Sequence, residues 1–118
     1  MKKITIFTPT FNRAYCLHQL YESLISQTSK DFCWLIIDDG STDNTWDVLN
    51  KFINYSNIKI FKKENGGKYT ALNFGLENSN TDFFSCLDAD SYVHPDSLIR
   101  LMSYFEKNPN IMAVIPSV

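Results

Sequence analysis

Two aspartates separated by one residue follow an apolar run. Residues 83–87 have the composition of a buried strand, and the chain then passes directly into Asp88 and, after one alanine, Asp90. Two carboxylates at this spacing repel each other unless a cation lies between them. Hard oxygen ligands suit Mg²⁺ or Mn²⁺, which proteins often hold with one or two carboxylates plus substrate phosphates. The pair therefore predicts a divalent-metal site, with a solvated turn as the alternative.

A Gly-Gly-Lys sequence is the second candidate for chemistry. Gly66 and Gly67 precede a predicted helix, where their backbone N–H groups would be exposed, and Lys68 adds a cation at the positive end of that helix. This combination suits a phosphate group. The spacings of the Walker motif and of the dinucleotide fingerprint are both absent. A flexible turn with a solvated lysine is the alternative.

Two adjacent aspartates end another apolar strand. Asp38 and Asp39 point to opposite faces if the strand conformation continues through them. One of them can then turn inward and cap its own loop or the next helix. The other can accept a hydrogen bond from a ring N–H of a nucleobase, which an ionised carboxylate does well. In the alternative, both are turn and capping residues only.

Alternating strands and helices would position these residues. The pattern predicts strands at 4–8, closed by Pro9, and at 32–37, 58–61, 83–87 and 111–115. It predicts helices at 15–27 and after residues 44, 67 and 95. This order indicates a three-layer α/β/α domain with a mostly parallel, doubly wound sheet. Ligands bind such sheets beyond the carboxyl ends of the strands, and the loops at 9–13, 38–41, 65–68 and 88–91 all lie at that edge.

Each predicted helix has an apolar side that should face the sheet. The residues expected there are, in chain order, Leu17, Leu20, Tyr21, Leu24, Ile25, Trp46, Leu49, Phe52, Ile53, Tyr69, Leu72, Leu76, Leu98, Leu101, Met102 and Phe105. Tyr69, Phe74 and Phe105 are interpreted as core residues rather than as stacking platforms.

The composition limits the possible classes of protein. The 118 residues, 44% of them hydrophobic, suit one globular domain covering 1–118, and the net charge of −2 argues against a nucleic-acid-binding surface. Cys16, Cys33 and Cys86 have no disulfide or zinc spacing, and the last two are expected to be small buried residues of a reduced protein. No stretch is long enough to cross a bilayer, and we expect a cytoplasmic protein.

The two histidines are weak signals. His94 precedes Pro95 near the predicted metal site and can be a further ligand or a base, but a bystander role is the stronger expectation. His18 is expected on the surface of the first helix.

Four sequence motifs together resemble family 2 glycosyltransferases of the GT-A fold, a Rossmann-like nucleotide-sugar fold. They are Thr-Pro-Thr-Phe-Asn-Arg at 8–13, Ile-Asp-Asp-Gly-Ser-Thr-Asp at 37–43, Asn-Gly-Gly-Lys at 65–68 with Ala-Leu-Asn at 71–73, and Leu-Asp-Ala-Asp at 87–90. Their order and spacing cover nearly the whole chain. The resemblance is specific to the family and not to a substrate.

The resemblance implies a nucleoside-diphosphate sugar donor, most often a UDP-sugar, and Mn²⁺ or Mg²⁺ as cofactor. By position, the resemblance implies a nucleoside pocket lined by Pro9, Thr10, Asn12 and Arg13, with Asp39 in contact with the base. Lys68 would be a basic group near the base and the diphosphate. Asp88 would reach the ribose or a metal-bound water, and Asp90 would bind the metal.

Members of this family transfer the sugar with inversion to a hydroxyl of a glycan or lipid-linked acceptor. The carboxylate base lies well downstream of the Asp-x-Asp motif, so we expect it beyond residue 118. The chain is then expected to be the donor-binding part of a larger enzyme, with little or no transfer activity alone. Two alternatives are a nucleotidyltransferase, which would need a glycine-rich basic loop after the first strand, and a non-catalytic nucleotide-sugar-binding module.

Overall fold

The computed structural model describes residues 4–52, 55 and 57–108, apart from the side chain of Phe105. Four strands and four helices alternate along these residues. The strands are β1 (Ile4–Thr10), β2 (Phe32–Asp38), β3 (Ile58–Lys62) and β4 (Phe83–Cys86), and the helices are α1 (Ala14–Ile25), α2 (Thr45–Asn50), α3 (Lys68–Glu77) and α4 (Ser97–Lys107). The predicted fifth strand at 111–115 lies outside the described residues.

The four strands form one parallel sheet in the order β3-β2-β1-β4. From β1 the chain moves outward through β2 to β3 and then returns to the other side of β1. The order therefore reverses between β1 and β4, and this reversal is the topological switch point, where doubly wound sheets bind ligands. The predicted parallel, doubly wound sheet is confirmed.

Apolar side chains cover both faces of the sheet. One cluster joins alternate residues of β1 and β2, such as Ile6 and Trp34, to α1, α2 and α4. A smaller cluster on the opposite face joins Phe7, Leu35 and Ile37 to Ala71 of α3. Because successive residues of a strand point to opposite faces, the continuously apolar run in β2 fills both clusters. The three-layer arrangement is thus confirmed.

Pro9 does not close the first strand, which continues to Thr10. The Phe7 carbonyl accepts from the Leu87 N–H toward β4, whereas the Thr10 carbonyl accepts from the Asp39 N–H toward β2. Pro9 has the parity of Phe7, so its nitrogen faces the β4 side beyond the last paired residue of that strand. A proline there costs no ladder hydrogen bond.

The predicted apolar side of α3 is wrong. Tyr69 and Leu76 are exposed, by 82% and 50%, and the fully buried residues of this helix are Ala71 and Gly75. A Cβ at Gly75 would lie 2.6 Å from ring carbons of Phe7, so the helix approaches the sheet through its small residues. Large side chains are displaced to the flanks, where Leu72 and Phe74 are half-buried.

The remaining differences concern element ends and degrees of burial. Helix α4 begins two residues after Pro95, and α1 ends at Ile25 rather than at Gln27. Cys33 and Cys86 are half-buried. The predicted contact of Ile53 lies outside the described residues, as does that of the Phe105 side chain. None of the helices described here combines the length and the hydropathy needed to cross a bilayer.

Candidate functional site

A cleft of about 370 Å³ opens at the switch point, at the carboxyl ends of the strands. Seven of the eight residues predicted for the site line this cleft. They are Pro9, Thr10, Arg13, Asp39, Lys68, Asp88 and Asp90, joined by Phe11 and Ala89. The side chains come from the carboxyl end of β1, from the loops after β1, β2 and β4, and from the first residue of α3, so the sheet itself brings the four motifs together.

The two aspartates after β4 are presented by an alternating pattern of burial. Leu87 and Ala89 are buried in the large core cluster, and Asp88 and Asp90 between and after them are exposed. A turn with a hydrogen bond from the Ser91 N–H to the Asp88 carbonyl (3.0 Å) follows. Because their neighbours are anchored in the core, both carboxylates are held at the wall of the cleft.

Basic groups lie on the same cleft wall as these acids. Lys68 Nζ is 3.6 Å from Asp88 Oδ1, and both side chains are largely exposed. Arg13 donates to the Tyr15 hydroxyl (2.6 Å). That hydrogen bond is the main cause of a raised pKa for Arg13, and the negative charge of Asp90 adds to it. The cleft thus presents both signs of charge, as a site for a metal–diphosphate group requires.

The side chains of Asp38 and Asp39 lie in different places, as the strand pattern predicts. Asp38 is fully buried and turns back on its own loop, where Oδ1 accepts from the Ser41 N–H (3.1 Å) and hydroxyl (2.5 Å). Asp39 lines the cleft. Asp38 therefore shapes the loop, and Asp39 borders the cleft.

The N–H groups of the two glycines do not face an open phosphate site. Gly66 N–H donates to Asp39 Oδ1 and Gly67 N–H to Asp39 Oδ2, each at 3.0 Å. Lys63 Nζ completes the set at 2.5 Å from Oδ1. The phosphate prediction for these N–H groups is thus corrected: a nearly buried carboxylate needs donors, and the glycine turn supplies them.

Lys63 is a residue that the sequence analysis missed. It follows β3 by one position and therefore lies at the same edge of the sheet as the motifs. That position is the only signal in the sequence, because a lysine at the end of a strand is ordinarily a solvated residue.

Asn12 does not line the cleft. Its side-chain oxygen accepts from the N–H groups of Thr42 (2.7 Å) and Asp43 (3.2 Å), and its own N–H donates to the Ser41 hydroxyl (2.9 Å). Its φ of 53° is left-handed, a region that asparagine tolerates better than most residues. In this structure Asn12 joins the loops after β1 and β2, and its predicted contact with a nucleoside stays a prediction.

The histidines lie outside the cleft lining. His94 is exposed, with its ring edge-on to Tyr92 at 6.0 Å between centroids. His18 lies on the surface of α1 and pairs with Glu22 at 2.9 Å, as expected for a surface residue. The cleft geometry gives neither imidazole ring a role as a metal ligand or as a base.

The residues at the cleft fit a divalent metal. Asp88 and Asp90 offer the hard oxygen ligands of Mg²⁺ or Mn²⁺. Within the described part of the chain no group of three or more His, Cys, Asp or Glu side chains gathers, so a substrate would supply further ligands. Thr10 lines the cleft, and its hydroxyl oxygen is buried without a hydrogen-bond partner among the described residues.

The ionisation of Asp39 gives a prediction for stability against pH. Burial raises its pKa, but the Lys63 ammonium and the two glycine N–H groups outweigh burial, and the net pKa is lowered. A lowered pKa contributes stability above the ordinary value near 4, which is lost as pH falls through the folded-state value. We expect Asp39→Asn to be less stable than wild type at pH 7. In urea titrations, the two curves of unfolding free energy should converge as the pH falls below the ordinary value and through the lowered pKa of Asp39, and a constant difference down to acid pH would contradict this account.

Known families and proteins resemble the chain over most of its length. The model of the family described as Glycosyl transferase family 2 matches residues 5–118. Poly(ribitol-phosphate) beta-N-acetylglucosaminyltransferase TarP of Staphylococcus aureus is 36% identical over 112 residues, which are 92% of this chain and 34% of TarP.

Two solved structures extend the comparison. The crystal structure of S. aureus TarS 1-349 in complex with UDP-GlcNAc superposes with a TM-score of 0.82 at 27% identity, over 89% of this chain and 31% of that one. A mannosyltransferase of Pyrobaculum calidifontis in complex with GDP-Man and Mn²⁺ has a TM-score of 0.79 over 87% of this chain and 32% of its own. At 21% identity that likeness is one of fold alone. The chain spans about a third of the length of TarP, of the TarS 1-349 chain and of the mannosyltransferase chain.

Proposed function

The chain belongs to glycosyl transferase family 2, and on this premise we propose that it carries the donor site of an enzyme that transfers a sugar from a nucleoside-diphosphate donor to a hydroxyl acceptor. The observation that carries the proposal is the meeting of residues from four separate sequence motifs in one cleft at the switch point of the sheet. The nucleotidyltransferase alternative lacks its glycine-rich loop, since residues 10–13 contain no glycine.

The proposed donor is a UDP-sugar. TarS, a solved relative above 25% identity, is described with UDP-GlcNAc bound, and this supports a uridine nucleotide here. In the proposed arrangement Pro9, Thr10 and Arg13 contact the nucleoside, and Asp39 accepts a hydrogen bond from the base. Lys68 lies near the base and the diphosphate, and its ammonium adds positive charge where the leaving group is bound.

We assign a divalent metal, Mn²⁺ or Mg²⁺, to Asp90 with help from Asp88. When bound, such an ion supplies Lewis-acid stabilisation of the nucleoside-diphosphate leaving group. Asp90 holds its carboxylate at the cleft because Ala89 beside it is buried at 4% exposure. Asp88 is positioned by the same turn, which allows it to reach the ribose or a metal-bound water.

The transfer is proposed to invert the anomeric carbon, with a glycan or a lipid-linked molecule as acceptor. That course needs a carboxylate to deprotonate the acceptor hydroxyl on the sugar face opposite the diphosphate. Among the described residues the acids that line the cleft are Asp39, Asp88 and Asp90, and each already has a donor-site role. We therefore place the base outside residues 1–118 and expect little or no sugar transfer by these residues alone.

Calorimetric titration with UDP, with and without Mn²⁺, tests the donor site. We expect micromolar, metal-dependent binding, about −8 kcal/mol at 25 °C. If UDP does not bind, GDP and dTDP are titrated next, and binding of either would correct the base while keeping the donor site. A protein that binds none of the three nucleotides in the presence of Mn²⁺ would overturn the proposed function.

A further inference from the structure

The ammonium group of Lys63 does not line the cleft itself: it lies against Asp39, which does, and it is largely shielded from solvent. Its side chain is 18% exposed, and that of Asp39, its partner, is 8% exposed. Besides Asp39 Oδ1, Nζ contacts the Glu64 carbonyl (2.7 Å) and the Thr70 hydroxyl (2.9 Å). A lysine ammonium has three N–H donors, so these three acceptors use all of them. The position of this charge is therefore fixed by the fold.

The carboxylate of Asp39 has one acceptor position left. Oδ1 accepts from Lys63 and from Gly66 N–H, and Oδ2 accepts from Gly67 N–H. An ionised carboxylate offers about four lone-pair positions, two on each oxygen. Three donors leave one free position, on Oδ2. A ligand N–H in the cleft would find this oxygen as its acceptor.

The loops around this carboxylate are tightly interlocked. Asn65 Nδ2 donates to the backbone carbonyl of Asp39 at 3.0 Å. A Cβ on Gly66 would lie 2.9 Å from the Thr70 hydroxyl and 3.2 Å from Lys63 Nζ. Only glycine at 66 lets Lys63 and Thr70 approach as they do. The lysine is thus held against the Asp39 carboxylate by its neighbours.

We propose that Lys63 is a positioning residue for base selection: by pairing with Oδ1 it keeps Asp39 an ionised acceptor, so that Oδ2 selects nucleobases with a ring N–H over those with a ring-nitrogen acceptor. This inference rests on the proposed function. Uracil carries a ring N–H where cytosine carries an acceptor nitrogen. An ionised carboxylate binds the first and repels the second, whereas a protonated one can donate to cytosine.

Lys63 is the cation that pairs with Asp39 within the described residues. The other charged side chains that line the cleft are Arg13, Lys68, Asp88 and Asp90. Lys68 lies against Asp88, and Arg13 is influenced by Asp90. Removal of Lys63 would leave burial, which raises the pKa of Asp39, opposed by the two glycine N–H groups only. The protonated fraction of Asp39 would then grow as pH falls.

The test compares the dissociation constants of UDP and CDP for wild type, Lys63→Met, Lys63→Gln and Lys63→Arg between pH 5.5 and 8. The diphosphate is common to both ligands, so its own titration cancels in the CDP/UDP ratio. Wild type and Lys63→Arg should prefer UDP by at least about tenfold across this range. In the Lys63→Met and Lys63→Gln variants, the CDP/UDP ratio of dissociation constants should fall by about tenfold or more, most strongly at pH 5.5. Lys59→Met removes the same charge from an exposed position of β3 and should leave the ratio unchanged.

Each outcome separates the inference from the proposed function. Circular dichroism and a urea titration identify any variant that fails to fold. If Lys63→Met does not fold, the comparison uses Lys63→Gln instead. If wild type prefers UDP and the ratio is the same in folded variants, the role of Lys63 is overturned and the donor site stands. Equal weakening of UDP and CDP would indicate a structural role only and would also overturn it. A wild-type protein that binds no nucleotide would overturn both proposals.

Discussion

Asp90→Asn is expected to abolish the Mn²⁺-dependent part of UDP binding, with a loss of affinity of at least about a hundredfold when Mn²⁺ is present. The amide is neutral and gives up the charge that attracts a divalent ion, while its size and its neighbours Ala89 and Ser91 stay the same. Calorimetric titration of UDP at fixed Mn²⁺ measures the effect. The expected mechanism predicts a second result without metal: UDP should bind the variant as well as wild type or slightly better, because a carboxylate that repels the diphosphate is gone.

Asp82→Asn is the matched control for this prediction. Asp82 is exposed and directly precedes β4, so it lies at the end of the strand opposite Asp90 and loses the same charge on substitution. It should bind UDP with wild-type affinity and keep the Mn²⁺ dependence. If Asp90→Asn retained the full metal effect, Asp90 would not be the metal ligand. If it lost affinity equally with and without Mn²⁺, its role would be to shape the loop.

The sheet and its functional edge were largely predictable from the sequence. Strand β2 is an uninterrupted apolar run that ends in two aspartates, and this pattern alone indicates a strand covered on both faces. Once the strands are known to be parallel, the loops that follow them must share one edge. The cleft residues Arg13, Asp39, Lys68 and Asp90 were found in this way, without any knowledge of distances.

Partners across the sheet were not predictable in the same way. The bond between Lys63 and Asp39 depends on the register of β2 and β3, in which Asp38 is paired with Lys62. The periodicity of apolar residues predicts which side of a strand or helix is buried, but it does not predict which polar side chains contact each other across neighbouring strands. For the same reason the buried side of α3 was assigned to Tyr69, although the close contact of Gly75 with Phe7 decides which way that helix faces.

Gln27 is a second residue whose importance only the structure reveals. It follows α1 by two positions and is 2% exposed. Its Nε2 donates to the carbonyls of Ser23 (3.0 Å), His94 (2.7 Å) and Val93 (3.4 Å), and its Oε1 accepts from the Leu98 N–H (3.1 Å). The reversed amide would place an oxygen against three carbonyl oxygens, so the orientation is determined. One side chain therefore ties the end of α1 to the segment that follows Asp90 and begins α4.

Gln27→Leu is expected to lower the free energy of unfolding by about 2–4 kcal/mol. Leucine nearly fills the volume of the amide, but it removes the Gln27 partner from the carbonyls of Ser23 and Val93 and from the Leu98 N–H, while the His94 carbonyl keeps the Ser97 N–H. A urea titration followed by tryptophan fluorescence measures the loss, since Trp34 lies in the core cluster that α1 and α4 share. Gln19→Leu is the matched control: Gln19 is exposed on α1, and its substitution should change stability by less than about 0.5 kcal/mol.

Gln27→Leu also tests how rigidly the proposed metal ligand is held. Val93, whose carbonyl Gln27 contacts, is buried with Ala89 in one core cluster, and Asp90 lies between these two residues. A loosened segment at 93–98 would let the Asp90 carboxylate explore positions that do not suit a metal, so UDP should bind severalfold more weakly with Mn²⁺ and unchanged without it. Equal stabilities of the Gln27 and Gln19 variants would contradict the buried network. A destabilised Gln27 variant with full metal-dependent affinity would show that the core contacts of Ala89 and Val93 alone are sufficient to hold Asp90.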